Sequence, residues 1–224
     1  MGLFSRKPKV RLDEFCRGFY DTHILHPPEV AGTNVPLAYC KVVKRNVAEL
    51  EPKFAVVDLE LLLSELTIIK FEVFGLAWLH RQGDRRAAEQ SEFTRCYLME
   101  ESRTDIWEAM QPYNKASARS SRLRQSPEAA TGRAYLVFVN EMRMNCFDEW
   151  EKLGFDLLSV GRAANRVCTN VAWEKSLTAG YLAGTLCERL GCEVNLEAQA
   201  MLMAVIHGFY DGVAQSLKSV AIHG

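Results

Sequence analysis

The spacing of the prolines is the feature that most limits how this chain can fold. The 224 residues contain seven prolines, at positions 8, 27, 28, 36, 52, 112 and 127, so none falls between 53 and 111 or after 127. Proline removes a backbone donor and clashes with the preceding turn, and it is therefore excluded from helix interiors. The two long stretches without proline can hold long helices.

Apolar periodicity and capping residues divide the chain into helical segments. Asp84, Asp156 and Asn195 stand where a short polar side chain would cap a helix, and Gly83 and Gly191 stand where helices would end. The predicted fold is all-α, a helical bundle of about six major helices with little or no sheet. The segments that we predict to be helical are residues 12–25, 37–50, 51–81, 84–110, 132–153, 156–190 and 196–220.

The apolar stretch 54–79 is ambiguous, because Lys70–Val73 alternates in the manner of a strand. An unbroken apolar series at spacings of four and three favours a helix, and no turn cluster divides the stretch into a hairpin. The series is Ala55, Leu59, Leu62, Leu66, Ile69, Val73 and Leu76. The same stretch holds five charged residues among 26, which excludes an ordinary membrane span.

Composition indicates a soluble cytoplasmic protein. Hydrophobic residues make up 48% of the chain, charged residues 25%, and the formal net charge is −1, which excludes wholesale disorder and a protein that is basic throughout. The seven cysteines show no paired CxxC pattern and favour free structural thiols in a reducing compartment. The N-terminal residues lack the apolar core of a secretory signal.

A basic segment rich in Ser, Ala and Arg divides the chain. We predict one helical domain over 1–224, or two packed halves (1–113 and 131–224) joined by a loop over 114–130. Within it, Arg119, Arg122 and Arg124 are candidates for binding an anion from an exposed connection. A second basic run, at Arg6, Lys7, Lys9 and Arg11, lies near the N-terminus.

Three carboxylates form a row on the long helix. Asp58, Glu65 and Glu72 repeat every seven residues between two apolar rows, so burial would demand a cation, a hydrogen-bond donor or a metal as partner. No Glu-x-x-His occurs anywhere in the chain, whereas a carboxylate-bridged metal site in a bundle uses that motif twice. We therefore predict no metal and expect structural pairing. A later row can supply the partners: Arg162, Arg166, Asn170 and Glu174.

The last predicted helix carries the candidate ligand site. Met203, His207 and Asp211 are successive i, i+4 neighbours and Tyr210 lies beside that row, where the carboxylate can fix the histidine tautomer. Gly208 and Gly212 remove side-chain bulk nearby and leave room for a ligand. The predicted ligand-binding residues are Met203, His207, Tyr210 and Asp211.

The function that the sequence favours is that of an all-α binding or regulatory protein, with a helical groove for a partner or an apolar small ligand. No phosphate-binding glycine loop, nucleophile elbow or zinc-protease motif is present, so we predict no cofactor and no catalytic residue. One alternative is an enzyme or metalloprotein that uses His207 and Asp211 with Asp58, Glu65 and Glu72. A further alternative is a peripheral adaptor that binds anionic membrane or nucleic acid through the basic segments.

Overall fold

The computed structural model describes residues 7–27, 29–30, 32–125, 173 and 176–223, and in this part of the chain it is an all-α fold, as predicted. The helix α1 continues into one π-helical stretch, Tyr20–Leu25, and a short 3₁₀ helix, Pro52–Val56, precedes α3. The α-helices are α1 (Leu12–Phe19), α2 (Val35–Ala48), α3 (Leu59–Gln82), α4 (Asp84–Glu100), α5 (Thr104–Ala109), α6 (Gln111–Gln125), α7 (Leu177–Arg189) and α8 (Leu196–Ser219).

The only strands of the described residues form a two-stranded parallel sheet near the two ends of the chain. Strand β1, Lys9–Arg11, pairs with strand β2, Ala221–His223, in a register that places Val10 opposite Ile222. Arg86 of α4 donates from Nη1 to the carbonyl oxygen of Ile222 at 3.0 Å. This small sheet therefore ties the end of α8 to α1 and α4.

Side-chain caps explain where three of the helices begin. The side-chain oxygens of Asn34, Asp58 and Asn195 each accept from a backbone N–H three residues later, at 3.0, 2.9 and 2.8 Å. Such a bond satisfies one of the donors that a helix leaves free at its N-terminus. The capping role predicted for Asn195 is confirmed. At α4 the cap position is Gly83, with φ of 90°, and Asp84 is the first helical residue.

Helix α3 is the centre of the bundle, and the helical prediction for 54–79 is confirmed from Leu59 onward. It packs against α2, α4, α6 and α8. A helix that is covered on nearly every side can be apolar on nearly every side. Its buried residues are Leu62, Glu65, Leu66, Ile68, Ile69, Phe71, Glu72, Val73, Phe74, Ala77 and Trp78.

The loop predicted over 114–130 is wrong as far as Gln125. Residues Gln111–Gln125 form α6, and Tyr113 and Ser120 on it are fully buried. Proline is favoured in the first turn of a helix, where its missing N–H has no partner to lose, so Pro112 starts this helix instead of ending the previous one. The Arg119 side chain is exposed, whereas those of Arg122 and Arg124 lie outside the described side chains.

Two predicted helices are interrupted. The segment 84–110 breaks after Glu100, where Ser102 adopts a left-handed conformation with φ of 56°, and resumes as α5. Most of the predicted helix 156–190 lies outside the described residues, but Ser176 within it is not helical, with φ of 58°, and α7 begins at Leu177. The run 100–105 contains no apolar residue, so the first break had a signal in the sequence, whereas the apolar pattern gives none for Ser176. The predicted helix 132–153 lies outside the described residues.

One hydrophobic core runs through the described helices. It includes Tyr20 of the π-helical stretch, Phe74 of α3, Leu182 of α7 and Leu202 of α8. The cysteines at 16, 40, 187 and 192 are free and buried, and Cys96 is free and exposed. Of the described helices, none is long and apolar enough to cross a membrane.

Candidate functional site

The predicted histidine of the ligand site has a serine as its partner. His207 Nε2 lies 3.1 Å from Ser176 Oγ, and the His207 ring centroid lies 4.7 Å from that of Trp173. Asp211 is exposed, and the described hydrogen bonds do not join it to His207. The described partner of this half-buried histidine is therefore a hydroxyl, which can either donate to or accept from an imidazole nitrogen.

Tyr210 and Met203 pack against other elements. The Tyr210 hydroxyl lies 2.7 Å from His80 Nδ1 on α3, and its ring stacks on Trp173 with centroids 4.3 Å apart. Met203 lies beside Gly180 of α7, where an added Cβ would be 3.8 Å from the thioether sulfur. Three of the four predicted residues, Met203, His207 and Tyr210, thus contact other elements, whereas Asp211 is exposed, and the ligand that we predicted for them stays a prediction.

The groove that we call the α8 groove lies on a different side of the same helix. At about 100° per residue, Phe209 and Ser216 are roughly opposite His207 on α8. The groove has a volume of about 340 Å³. Its walls come from α1 and the π-helical stretch, from α3 and from α8, through Phe19, His23, Ile24, Lys70, Gly208, Phe209, Gly212, Val213 and Ser216.

Two glycines open the α8 groove. Gly208 and Gly212 lie one helical turn apart, and a Cβ built on either one meets no heavy atom within 4 Å. Side chains at these positions would project into the space between α8 and Phe19. The glycines are therefore a cause of the gap, which lies away from His207, and the room that we predicted for a ligand beside the His207 row stays a prediction.

Lys70 places a positive charge in the wall of the groove. Its Nζ donates to the His23 carbonyl oxygen at a long 3.5 Å and lies 5.2 Å from the centroid of the Phe209 ring. Burial lowers the pKa of this half-buried lysine, and the nearby Cys40 opposes the change. The ion pairs of the described residues do not include Lys70. It is a cation without a carboxylate partner in that part of the chain.

The three carboxylates of the acidic row have separate roles. Asp58 caps α3, whereas Glu65 accepts from Arg189 Nε and Nη2 at 2.6 and 2.7 Å and from the Tyr113 hydroxyl at 2.7 Å. The predicted partners Arg162 and Arg166 lie outside the described residues. A bidentate guanidinium contact plus a phenol satisfies a buried carboxylate well.

Glu72 differs from Glu65, because it borders a cavity of about 210 Å³, which we call the Glu72 cavity. Burial raises the pKa of Glu72 to about 7, and a hydrogen bond from the Ser117 hydroxyl opposes the increase. The cavity lies between α3, α4, α5 and the start of α6 and is partly open to solvent. Its lining is Phe71, Glu72, Gly75, Leu76, Leu79, Ala87, Gln90, Ser91, Thr94, Trp107, Met110 and Asn114.

Two of the remaining candidates, Arg119 and Arg11, contact other side chains. Arg119 places its guanidinium 5.3 Å from the centroid of the Tyr181 ring, so its position is explained by packing of α6 on α7. Arg11 of the N-terminal basic run pairs with Asp13 at 3.1 Å. Among the described residues, no group of three or more His, Cys, Asp or Glu side chains is arranged to hold a metal ion.

Sequence reasoning missed Lys70, Phe19 and Phe209 as site residues. Lys70, directly between Ile69 and Phe71, is the one cation among the five charged residues of the stretch 54–79, and this was a signal, because such a lysine faces either solvent or an apolar wall. The aromatic residues carried no comparable signal, since their roles depend on how α1 and α8 meet.

Comparison with known proteins gives no family for this chain. No protein-family model, no curated protein and no solved structure matches it.

Proposed function

We propose that the chain is a binding protein that holds an apolar small molecule with an anionic end group in the α8 groove. The observation that carries this proposal is the gap made by Gly208 and Gly212 opposite Phe19, with Lys70 in its wall. The volume of about 340 Å³ is at the lower end of the range for small-molecule sites.

The chemistry of the lining supports an amphiphile. Phe19, Ile24, Phe209 and Val213 supply apolar surface, which gains free energy when it leaves water. A predominantly apolar lining with a few polar groups is the usual composition of a ligand site. Lys70 supplies the polar anchor, because a half-buried ammonium gains most from an anion brought to it.

Octanoate and its neutral analogue 1-octanol test the proposal by calorimetric titration of the whole chain. We expect octanoate to bind more tightly than octanol, and Lys70→Met to weaken octanoate binding about tenfold, the effect of losing about 1.4 kcal/mol. Lys218→Met removes the same charge from an exposed position on α8 and should leave binding unchanged. Octanoate binding that is unaffected by Lys70→Met would refute the role of the lysine.

A second variant tests the groove itself. Gly212→Leu adds a Cβ with no heavy atom within 4 Å, so we expect the rest of the side chain to occupy the gap, and leucine favours the helix over glycine. We expect this variant to unfold at the same or a higher temperature and to bind neither octanoate nor octanol. Unchanged binding by a folded Gly212→Leu chain would show that the α8 groove is not the site.

A further inference from the structure

The acidic row of α3 contains two buried carboxylates, and the described residues provide a cation for only one of them. Glu65 and Glu72 are 4% and 8% exposed, so both are almost completely removed from water. Glu65 holds Arg189 in a bidentate contact. Glu72 has the Ser117 hydroxyl as its described partner and lines the Glu72 cavity. A buried carboxylate without a cation is costly, because its ionised form loses hydration that nothing replaces.

The polar lining of the Glu72 cavity is rich in hydrogen-bond acceptors. The Gln90 amide nitrogen donates to the Tyr20 hydroxyl at 2.7 Å and to Thr94 Oγ1 at 2.8 Å. Its carboxamide oxygen lies beside Gly75, 3.7 Å from where a Cβ would be. Asn114 adds a second carboxamide. Five oxygen-bearing side chains therefore line one small space: Glu72, Gln90, Ser91, Thr94 and Asn114.

The described lining of the cavity offers no cation to an anionic ligand, and it offers apolar surface to an apolar group. Facing Glu72 are Gln90 and Thr94 of α4, Trp107 of α5, and Asn114 and Ser117 of α6, all of them uncharged. In the described part of the chain, no Lys, Arg or His lines the cavity. The apolar part of the lining is formed by Phe71, Leu76, Leu79, Ala87, Trp107 and Met110, and an indole face also attracts cations.

We propose that the Glu72 cavity is a second binding site, which takes a small organic ammonium ion with its nitrogen against the Glu72 carboxylate and its apolar part against Leu76, Leu79 and Trp107. The ammonium hydrogens are donors for the Gln90 and Asn114 oxygens. The site shares no residue with the α8 groove, so this proposal does not depend on the proposed function.

Binding of an ammonium ion to this site is linked to proton release. At neutral pH the Glu72 carboxyl keeps its proton for part of the time, because its pKa is about 7. The cation binds the ionised Glu72 carboxylate, so a chain whose Glu72 carboxyl is protonated must release that proton when the cation binds. The apparent affinity should therefore rise about tenfold between pH 6 and pH 8 and then level off.

Benzylammonium and neutral benzyl alcohol are suitable probes for the whole chain, because they share one ring and differ in charge. Calorimetric titration at pH 6, 7 and 8, in two buffers of different ionisation enthalpy, measures both affinity and protons released. We expect benzylammonium to bind more tightly than benzyl alcohol and to release about half a proton at pH 7. Equal affinity for the two probes, no binding of benzylammonium, or binding without proton release would overturn the proposal.

Two variants locate the site, and a third serves as the matched control. Glu72→Gln keeps the shape and removes the charge, so we expect benzylammonium affinity to fall at least tenfold and its pH dependence to vanish. Gly75→Leu keeps the carboxylate and fills the cavity, and it should abolish binding. Glu60→Gln removes a charge from an exposed position on the same helix, and it should change neither the affinity for benzylammonium nor the pH dependence of that affinity. Native affinity in a folded Glu72→Gln or Gly75→Leu chain would show that benzylammonium binds elsewhere.

Discussion

At the scale of single residues, Glu72 makes stability depend on pH. Its carboxyl has a pKa of about 7 in the folded protein against an ordinary value of 4.5, because burial disfavours the charged form. Between these two pH values the folded state keeps a proton that the unfolded chain has lost. Stability from this residue is therefore fully present below the unfolded pKa and is lost as pH rises through the folded pKa.

We predict that Glu72→Gln removes this dependence of the unfolding free energy on pH. The native chain should lose on the order of 3 kcal/mol of unfolding free energy through Glu72 between pH 4.5 and pH 7.5, and the Gln variant should lose none of it. Urea unfolding of both chains across this range gives two curves of unfolding free energy against pH. Subtracting one curve from the other cancels the contributions of the other titrating groups. Glu60→Gln, at an exposed position, should run parallel to the native chain. Parallel curves for Glu72→Gln would mean that Glu72 is ionised in the folded protein.

The Glu65–Arg189 pair behaves differently, because each group depends on the other. The Arg189 and Glu65 side chains are 31% and 5% exposed. We predict that Arg189→Met lowers the unfolding free energy by about 3 kcal/mol, since it leaves a buried carboxylate without a cation. The double variant Glu65→Leu/Arg189→Met should recover most of that loss. Thermal unfolding of the four chains measures the coupling.

Arg17→Met is the surface control for that pair. The Arg17 and Glu100 side chains form an ion pair at 3.1 Å and are 47% and 61% exposed. Exposed pairs of this kind contribute about 1 kcal/mol or less. A loss for Arg189→Met as small as that for Arg17→Met would show that water screens the Glu65 contact.

At the scale of elements, apolar periodicity located helices well and their interruptions poorly. No apolar residue lies between Met99 and Ile106, so the break at Ser102 had a signal in the sequence that the helical prediction over 84–110 did not use. Pro112 was misread because proline is equally compatible with the end of one helix and the first turn of the next. What decides between them is the packing of Tyr113 and Ser120 into the core, which local sequence does not contain.

The two turns that flank α4 provide a backbone test of this element. Ser102 and Gly83 have φ of 56° and 90°. A serine in the left-handed region is strained, so Ser102→Gly should raise the unfolding free energy by about 0.5 kcal/mol. Gly83→Ala forces a Cβ into a conformation that only glycine adopts readily, and it should cost about 1–3 kcal/mol. In thermal unfolding we expect Ser102→Gly to raise the unfolding temperature and Gly83→Ala to lower it. Changes in the same direction would contradict the assigned turn geometry.

The candidate sites show the same division between local and long-range information. The seven-residue repeat identified Glu65 and Glu72 as carboxylates enclosed by apolar rows, and both are buried. Nothing in that repeat distinguishes the residue that meets Arg189 from the one that meets a cavity. Gly208 and Gly212 were likewise recognised as sources of space. The direction of that space follows from the position of Phe19 on α1, which no spacing within α8 can reveal.

At the scale of the whole molecule, the core connects the two ends of the sequence. Helix α3 packs on α8, and α6 packs on α7, so helices from before 125 are buried against helices from after 176. Leu62 and Leu66 of α3 and Leu186 and Leu202 of α7 and α8 belong to one cluster of buried side chains. The ion pair of Glu65 with Arg189 joins the same two regions.

One cooperative unfolding transition is the expected consequence of that shared core. If 1–113 and 131–224 were independent halves, each would keep its own buried cluster and would unfold at its own temperature. Here, removing α7 and α8 would expose apolar faces of α3 and α6, so the first half alone lacks a complete core. Scanning calorimetry should give one peak whose calorimetric and van't Hoff enthalpies agree.

The fragment 1–125 should show no cooperative melting by near-ultraviolet circular dichroism, although Trp78 lies within it. Two peaks, or a sharp transition in the fragment, would establish two packed halves.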